Sequence, residues 1–198
     1  MRNKAIALLT IVYLSSSALF SQSLMGQDAE VKELEHDTQQ GTYNSLVQVD
    51  SDTYLLAYSG QDNDGYLKTF TVAADGSSIT QVAVLEYDTG SGTYHSLVKV
   101  DSDTYVLAYT SSGNDGFIKT FTVPANGSTI TQVAVLEHDT NVAIYNSLVQ
   151  VDTDTYVLGY RDAWNDDQLK TFTIPADGST ITQVATYAVS YTHLRAHD

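Results

Sequence analysis

Three tyrosines, Tyr43, Tyr94 and Tyr145, stand at a constant spacing of 51 residues, and each is followed by Asn44, His95 or Asn146 and then by a serine. A phenol beside an amide or imidazole joins a flat apolar ring to hydrogen-bond donors and acceptors, the mixture that orients a small ligand in a pocket. Packing between repeated units, with the hydroxyls hydrogen-bonded, is the competing explanation. Trp164, the single tryptophan, lies with Arg161 and Asp162 in a stretch that reads as an exposed loop. Aromatic and arginine side chains anchor binding hot spots, and an indole face suits a sugar ring. The alternative is an indole folded back over the edge of its own unit.

Two further chemistries are testable against the residues. Asp62-Asn-Asp64-Gly65 places oxygen ligands in a tight turn, as a hard cation requires. The equivalent stretches are Gly113-Asn-Asp-Gly and Trp164-Asn-Asp-Asp, with no distant glutamate, and Asp and Asn are ordinary turn formers. The expectation is no cofactor, with Asp62 and Asp64 the candidate ligands if calcium binds. Catalysis finds little support. There is no Gly-x-Ser-x-Gly elbow, no His-Glu-x-x-His and no phosphate loop. His36, Tyr87 and His138 share one column, so an imidazole is not needed in every unit. Lys68, Lys119 and Lys170 read as exposed strand residues paired with carboxylates.

Composition narrows the partners. With 9 Lys and Arg against 24 Asp and Glu, the net charge is -15. Such a surface repels nucleic acid and anionic membrane, because phosphate binding needs clustered cations. The absence of cysteine excludes a disulfide scaffold, a thiolate metal site and a cysteine nucleophile. Fourteen tyrosines and two prolines suit a strand-rich chain.

Both ends stand apart from the fold. Arg2 and Lys4 precede an apolar run from Ala5 to Leu14, with small residues at Ser21 and Ser23, the pattern of a cleaved export signal over residues 1–23. The run is short for a membrane span, which needs about 20 apolar residues. After cleavage no membrane insertion is expected, and the protein should be secreted or held at the cell surface. At the other end, Val189-Ser-Tyr-Thr-His-Leu-Arg-Ala-His197 resembles a translated transposase-type sequencing adapter, though Asp198 departs from it. The expectation is a reading frame cut near Ala188, so that His193, Arg195 and His197 carry no biology.

Between the ends lie near-copies of one unit. Leu34-Glu-His-Asp-Thr38 recurs as Leu85-Glu-Tyr-Asp-Thr89 and Leu136-Glu-His-Asp-Thr140. After a linker at 24–33, the units run 34–84, 85–135 and 136–186, and 187–198 form the junction and tail. Periods near 50 residues signal solenoids, propellers or arrays. The first unit holds strand-like runs at Tyr43–Val49, Tyr54–Tyr58, Tyr66–Val72 and Ile79–Leu85, separated by Asp-Ser-Asp-Thr, Asn-Asp-Gly and Ala-Asp-Gly-Ser turns. Short turns make neighbouring strands antiparallel. The second run is apolar on both faces, so it should be covered on both, while the fourth is mixed like an outer strand.

These features resemble a secreted tandem-repeat β-propeller. The likeness is architectural and covers residues 34–186; no Trp-Asp signature and no Ser-x-Asp-x-Gly-x-Thr-Trp box ties it to a named family. It implies an all-β fold, a partial propeller of three four-stranded antiparallel blades from a larger ring. An open solenoid or another stacked-sheet array is the alternative. A four-stranded meander sends its loops alternately to two faces. One face is nearly uniform between copies. The other varies, at 39–42, 90–93 and 141–144 and at 59–62, 110–113 and 161–164. Loops on a rigid frame carry binding residues, so the variable face is the expected ligand surface, against drift in unconstrained loops. The resulting expectation is an exported, non-enzymatic recognition module for a glycan or protein ligand. A fragment of a propeller enzyme and a purely structural array are the alternatives, and nothing in the sequence sets the oligomeric state.

Overall fold

A computed structural model describes residues 33–189. The export signal, most of the linker, and the tail from residue 190 lie outside the described residues. Twelve strands run in order: β1 Thr42–Gln48, β2 Thr53–Ser59, β3 Gly65–Val72, β4 Ile79–Asp88, β5 Thr93–Lys99, β6 Thr104–Thr110, β7 Gly116–Thr122, β8 Thr131–Asp139, β9 Ile144–Asp152, β10 Thr155–Arg161, β11 Asp167–Thr173 and β12 Thr182–Val189. They form three antiparallel meanders, β1–β4, β5–β8 and β9–β12, each in sequence order. The expected fold class holds: the described residues are all-β and their sheets are propeller blades. The fourth strand runs on to Asp88, past the expected end at Leu85. A 3-10 turn at Gln61–Asn63, repeated at Ser112–Asn114, replaces a plain loop.

The alternation of β2 explains the stacking. Leu55 and Ala57 point into a core shared with blade 2, beside Leu97, Tyr105, Leu107 and Phe121. Leu56 and Tyr58 point the other way, with Phe70. A second shared core joins Val106, Ala108 and Ile118 of blade 2 to Leu148, Tyr156, Leu158 and Phe172 of blade 3. Burial of apolar surface at roughly 25 cal/mol per Å² drives this stacking, since a lone sheet would leave one of these faces wet.

Neighbouring first strands lie side by side, making them innermost. The Leu97 amide donates to Ser45 Oγ at 3.0 Å, and the Leu148 amide to Ser96 Oγ at 2.9 Å. The uniform loop face has a structural cause. Thr69 Oγ1 donates to the Gly127 carbonyl of the next blade at 2.7 Å, and Thr120 repeats this bond to Gly178. Both glycines hold φ of +65°, and a Cβ on Gly127 or Gly178 would meet Thr53 or Thr104 of the preceding blade at 2.9 Å.

Another repeated contact latches blades 2 and 3 to the end of the preceding outer strand. Tyr109 Oη donates to Asp88 at 2.7 Å and Tyr160 Oη to Asp139 at 2.6 Å. Lys119 Nζ donates to the Tyr87 carbonyl at 2.6 Å, and Lys170 Nζ to that of His138. This corrects the expectation for the lysines. Lys119 and Lys170 are buried, and of the described residues only Lys170 forms an ion pair, to Asp139 at 3.2 Å. The backbone carbonyls at strand ends, which sequence does not display as acceptors, take the ammonium protons instead.

Candidate functional site

Each innermost strand begins with a bulge. The register shifts between Thr42 and Ser45, between Thr93 and Ser96, and at the start of β9. At each bulge a tyrosine takes the left-handed conformation: Tyr43, Tyr94 and Tyr145 have φ of +54°, +52° and +60°. A bulky side chain rarely occupies this region, and it costs about 1–3 kcal/mol per residue. Three repetitions of the same strained residue converge on one place. The Tyr43 and Tyr94 ring centroids lie 4.6 Å apart, and those of Tyr94 and Tyr145 lie 4.7 Å apart. The rings form a ladder across the inner strands, with Tyr43 and Tyr145 exposed and Tyr94 half-buried.

The ladder opens on a shallow cavity of about 290 Å³, lined by the three tyrosines with Asn44, His95 and Asn146. His95 Nδ1 meets the Tyr43 carbonyl at 2.7 Å, and its Nε2 bonds the Tyr87 hydroxyl. Burial outweighs the Tyr43 carbonyl and lowers His95 to about 4, so the imidazole is neutral near pH 7. Asn146 Nδ2 spans the Tyr94 carbonyl at 3.2 Å and Thr110 Oγ1 at 3.1 Å. The neighbouring Tyr43 hydroxyl, followed by burial, pushes the Tyr94 phenol up to about 12. The floor is thus uncharged: phenols, amides and one neutral imidazole.

Arg161, at the end of β10, places its guanidinium 4.8 Å from the Tyr145 ring centroid, a cation–π contact. The loop residues and the ladder, separate groups in the sequence, are therefore joined through this pair. Asp162 is occupied otherwise. Its carboxylate accepts from the Trp164 amide at 2.9 Å, the Asp166 amide at 3.0 Å and Gln168 Nε2 at 2.9 Å, closing its own loop. Trp164 is 82% exposed, standing clear of the blade edge. The sequence contained no sign of the Arg161–Tyr145 contact, because the partners come from different strands of a bulged sheet.

Asp62 lies exposed in the left-handed region and Asp64 is half-buried at the end of the same turn. Among the described residues no three His, Cys, Asp or Glu side chains converge as a metal site would require. Nor is any described helix long and apolar enough to cross a membrane.

No protein-family model matches the chain, and no curated protein matches it. Solved structures do resemble it. A protein from Lactobacillus plantarum superposes with a TM-score of 0.54 at 18% identity, over 74% of this chain and 41% of that one. The NanB sialidase from Streptococcus pneumoniae gives 0.49 at 12% identity, over 76% and 23%. The periplasmic gluconolactonase PpgL from Pseudomonas aeruginosa gives 0.45 at 12% identity, over 73% and 56%. The chain thus spans about two fifths of the Lactobacillus plantarum protein. At such identities the likeness is one of fold alone, and the fold is the β-propeller, of which residues 42–189 form three blades.

Proposed function

We propose that this chain is an exported recognition module whose inner-strand tyrosine ladder, flanked by Arg161, holds a neutral ligand of the glycan class. The observation that carries the reading is the recurrence of a strained tyrosine at the same bulge in each of the three described blades, exposed in two of them. Backbone strain that packing does not require clusters at functional sites. An aromatic ladder bordered by amides and a neutral imidazole supplies what a sugar needs: apolar ring faces for its C–H surface and donors and acceptors for its hydroxyls. The net charge of -15 disfavours a polyanionic ligand. Trp164 extends the surface on the same loop face.

The test is a glycan array followed by titration of the best binder against Tyr94→Asn. Asparagine tolerates the left-handed conformation better than tyrosine, so the bulge survives while the ring is lost. Binding should weaken by about fivefold or more, since ring contacts contribute about 1 kcal/mol or above. An unchanged affinity, or no binding by a folded sample across the array, rejects the reading. An intact surface-protein ligand is the other outcome the array leaves to be sought.

A further inference from the structure

We propose that the tyrosine ladder is an oxidative modification site: a peroxide-driven one-electron oxidant joins Tyr94 to Tyr43 or Tyr145 by a carbon–carbon bond between their rings and so staples neighbouring blades. The reaction needs no ligand in the ladder and does not rest on the glycan reading.

Oxidising equivalents that reach this fold have few sinks. Sulfur is a usual target, but the chain has no cysteine, and its two methionines, Met1 and Met25, precede the described residues. Among the described residues the readily oxidised side chains are therefore phenols and the single indole, Trp164. Most of the phenols are shielded: Tyr58, Tyr87, Tyr105, Tyr109, Tyr156 and Tyr160 are 7% exposed or less. Tyr43, Tyr145 and Tyr187 are open to solvent, at 42%, 57% and 64%.

Of these three, Tyr43 and Tyr145 have a second phenol against them. Tyr94 lies between the two, with ring centroids at 4.6 and 4.7 Å, in tilted and edge-on contact. The contacts are held from the backbone. His95 Nδ1 donates to the Tyr43 carbonyl at 2.7 Å, and Asn146 Nδ2 to the Tyr94 carbonyl at 3.2 Å. The side chain that follows each tyrosine thus pins the strained bulge of the preceding blade, which keeps the rings in register. The Tyr43 and Tyr145 hydroxyls also neighbour that of Tyr94.

Each oxidation takes one electron from a phenol and releases its hydroxyl proton to water, leaving a phenoxyl radical with spin on the carbons ortho to oxygen. An exposed ring is oxidised first. Tyr94 then yields a hydrogen atom to that neighbour's phenoxyl, so the oxidant never has to reach the half-buried ring. A second oxidation of the exposed ring places two radicals side by side. One ortho carbon of each forms the new bond, and the hydrogens displaced from those carbons move to the oxygens, restoring both phenols. Two tyrosines and one hydrogen peroxide give one dityrosine and two waters. Adjacent radicals couple without a diffusional encounter, whereas a net charge of -15 keeps separate chains apart. The bond closes a loop between residues 51 apart and restricts the unfolded chain as a disulfide does, in a sequence with no cysteine to make one.

The test treats the dilute full chain with a haem peroxidase and hydrogen peroxide, then follows dityrosine fluorescence, denaturing gels and mass mapping of cross-linked peptides. The chain should stay monomeric, lose two hydrogen atoms, carry the link at Tyr94 and unfold at a higher urea concentration than the untreated protein. Tyr94→Phe keeps the ring and removes only the phenol, so its circular dichroism should match the parent while intramolecular dityrosine falls at least about tenfold. Tyr187→Phe, outside the ladder, should leave the yield unaltered. A folded chain that forms no dityrosine, a yield that persists in Tyr94→Phe or falls in Tyr187→Phe, links only between chains, or a link that leaves the urea midpoint in place overturns the proposal.

Discussion

Two tyrosine columns repeat through this chain with the same period and opposite fates. Tyr58, Tyr109 and Tyr160 lie on the second strands, 4% exposed or less, and each donates to an aspartate: Tyr109 and Tyr160 to the end of the preceding outer strand, Tyr58 to Asp37 ahead of β1. Tyr43, Tyr94 and Tyr145 lie on bulges of the first strands, strained, and in tilted or edge-on contact with one another. The first column is regular backbone with a satisfied polar end, which is what packing rewards. The second column costs backbone strain and returns little burial. Repetition alone therefore does not separate structural from functional tyrosines; backbone conformation and hydrogen bonding do.

The latch also shows why its aspartates stay ionised. Burial alone would raise Asp88, but the Gly90 and Ser91 amides and the Tyr109 and Ser111 hydroxyls overcome it and leave the carboxyl below its ordinary value. Burial first, then the Asp88 charge, raises the Tyr109 phenol, so this pair remains carboxylate and phenol through the neutral range. Lys119, lowered by burial, keeps its proton through the carbonyl of Tyr87 and the nearby Asp88.

The largest effect should come from emptying the buried column. Tyr109→Ala removes a 0% exposed ring, and the loss should be about 3–5 kcal/mol by urea denaturation. Tyr43→Ala, at an exposed ring, should cost far less; equal losses would dissolve the contrast between the columns.

Next comes acid. Burial, first, and then the Lys170 charge depress His138 to about 4 from 6.5. Between those values the unfolded chain binds more protons than the folded one, so stability is full above pH 6.5 and falls as pH drops toward 4. His138 should account for on the order of 3 kcal/mol of that loss, and half-buried His95 for less. His138→Tyr, copying Tyr87 in the same column, should flatten the acid limb. Denaturation midpoints followed between about pH 7 and 4 measure it, and an unaltered slope would mean His138 is hydrated rather than buried.

Smaller still is the stability change of Tyr94→Asn. Relief of about 1 kcal/mol of left-handed strain should offset the lost ring contacts of about 0.5–1.5 kcal/mol. A near-unchanged melting temperature with weakened ligand binding sharpens the distinction between the columns. A fall comparable to that of Tyr109→Ala would make the ladder a packing device. The least effect belongs to Trp164→Ala, within about 0.5 kcal/mol, as expected for an exposed side chain that packs on nothing. Its emission in the parent should be that of a water-exposed indole, and a blue-shifted maximum would contradict the 82% exposure.

The strands, their antiparallel order and the blade period were readable from the residues, because alternation and turn chemistry are local. Val-Leu-Ala-Tyr on β6 announces a strand covered on both faces, and Asp75-Gly76 announces a turn whose glycine takes φ of +72°. The candidate site was readable as a column of tyrosines and as an aromatic–arginine loop, though not as one assembly. Lys119 shows why the rest was hidden. At an alternate strand position a lysine reads as exposed, and its acceptor, the Tyr87 carbonyl, lies 32 residues away on the preceding blade. The Tyr145–Arg161 contact, the meeting of the three bulges and the latch likewise join residues distant in sequence. Residue types thus define what each strand is able to bury. Contact across blades, created when the strands twist and stack around an axis, selects which tyrosine is core, which is exposed, and which faces wait for another blade.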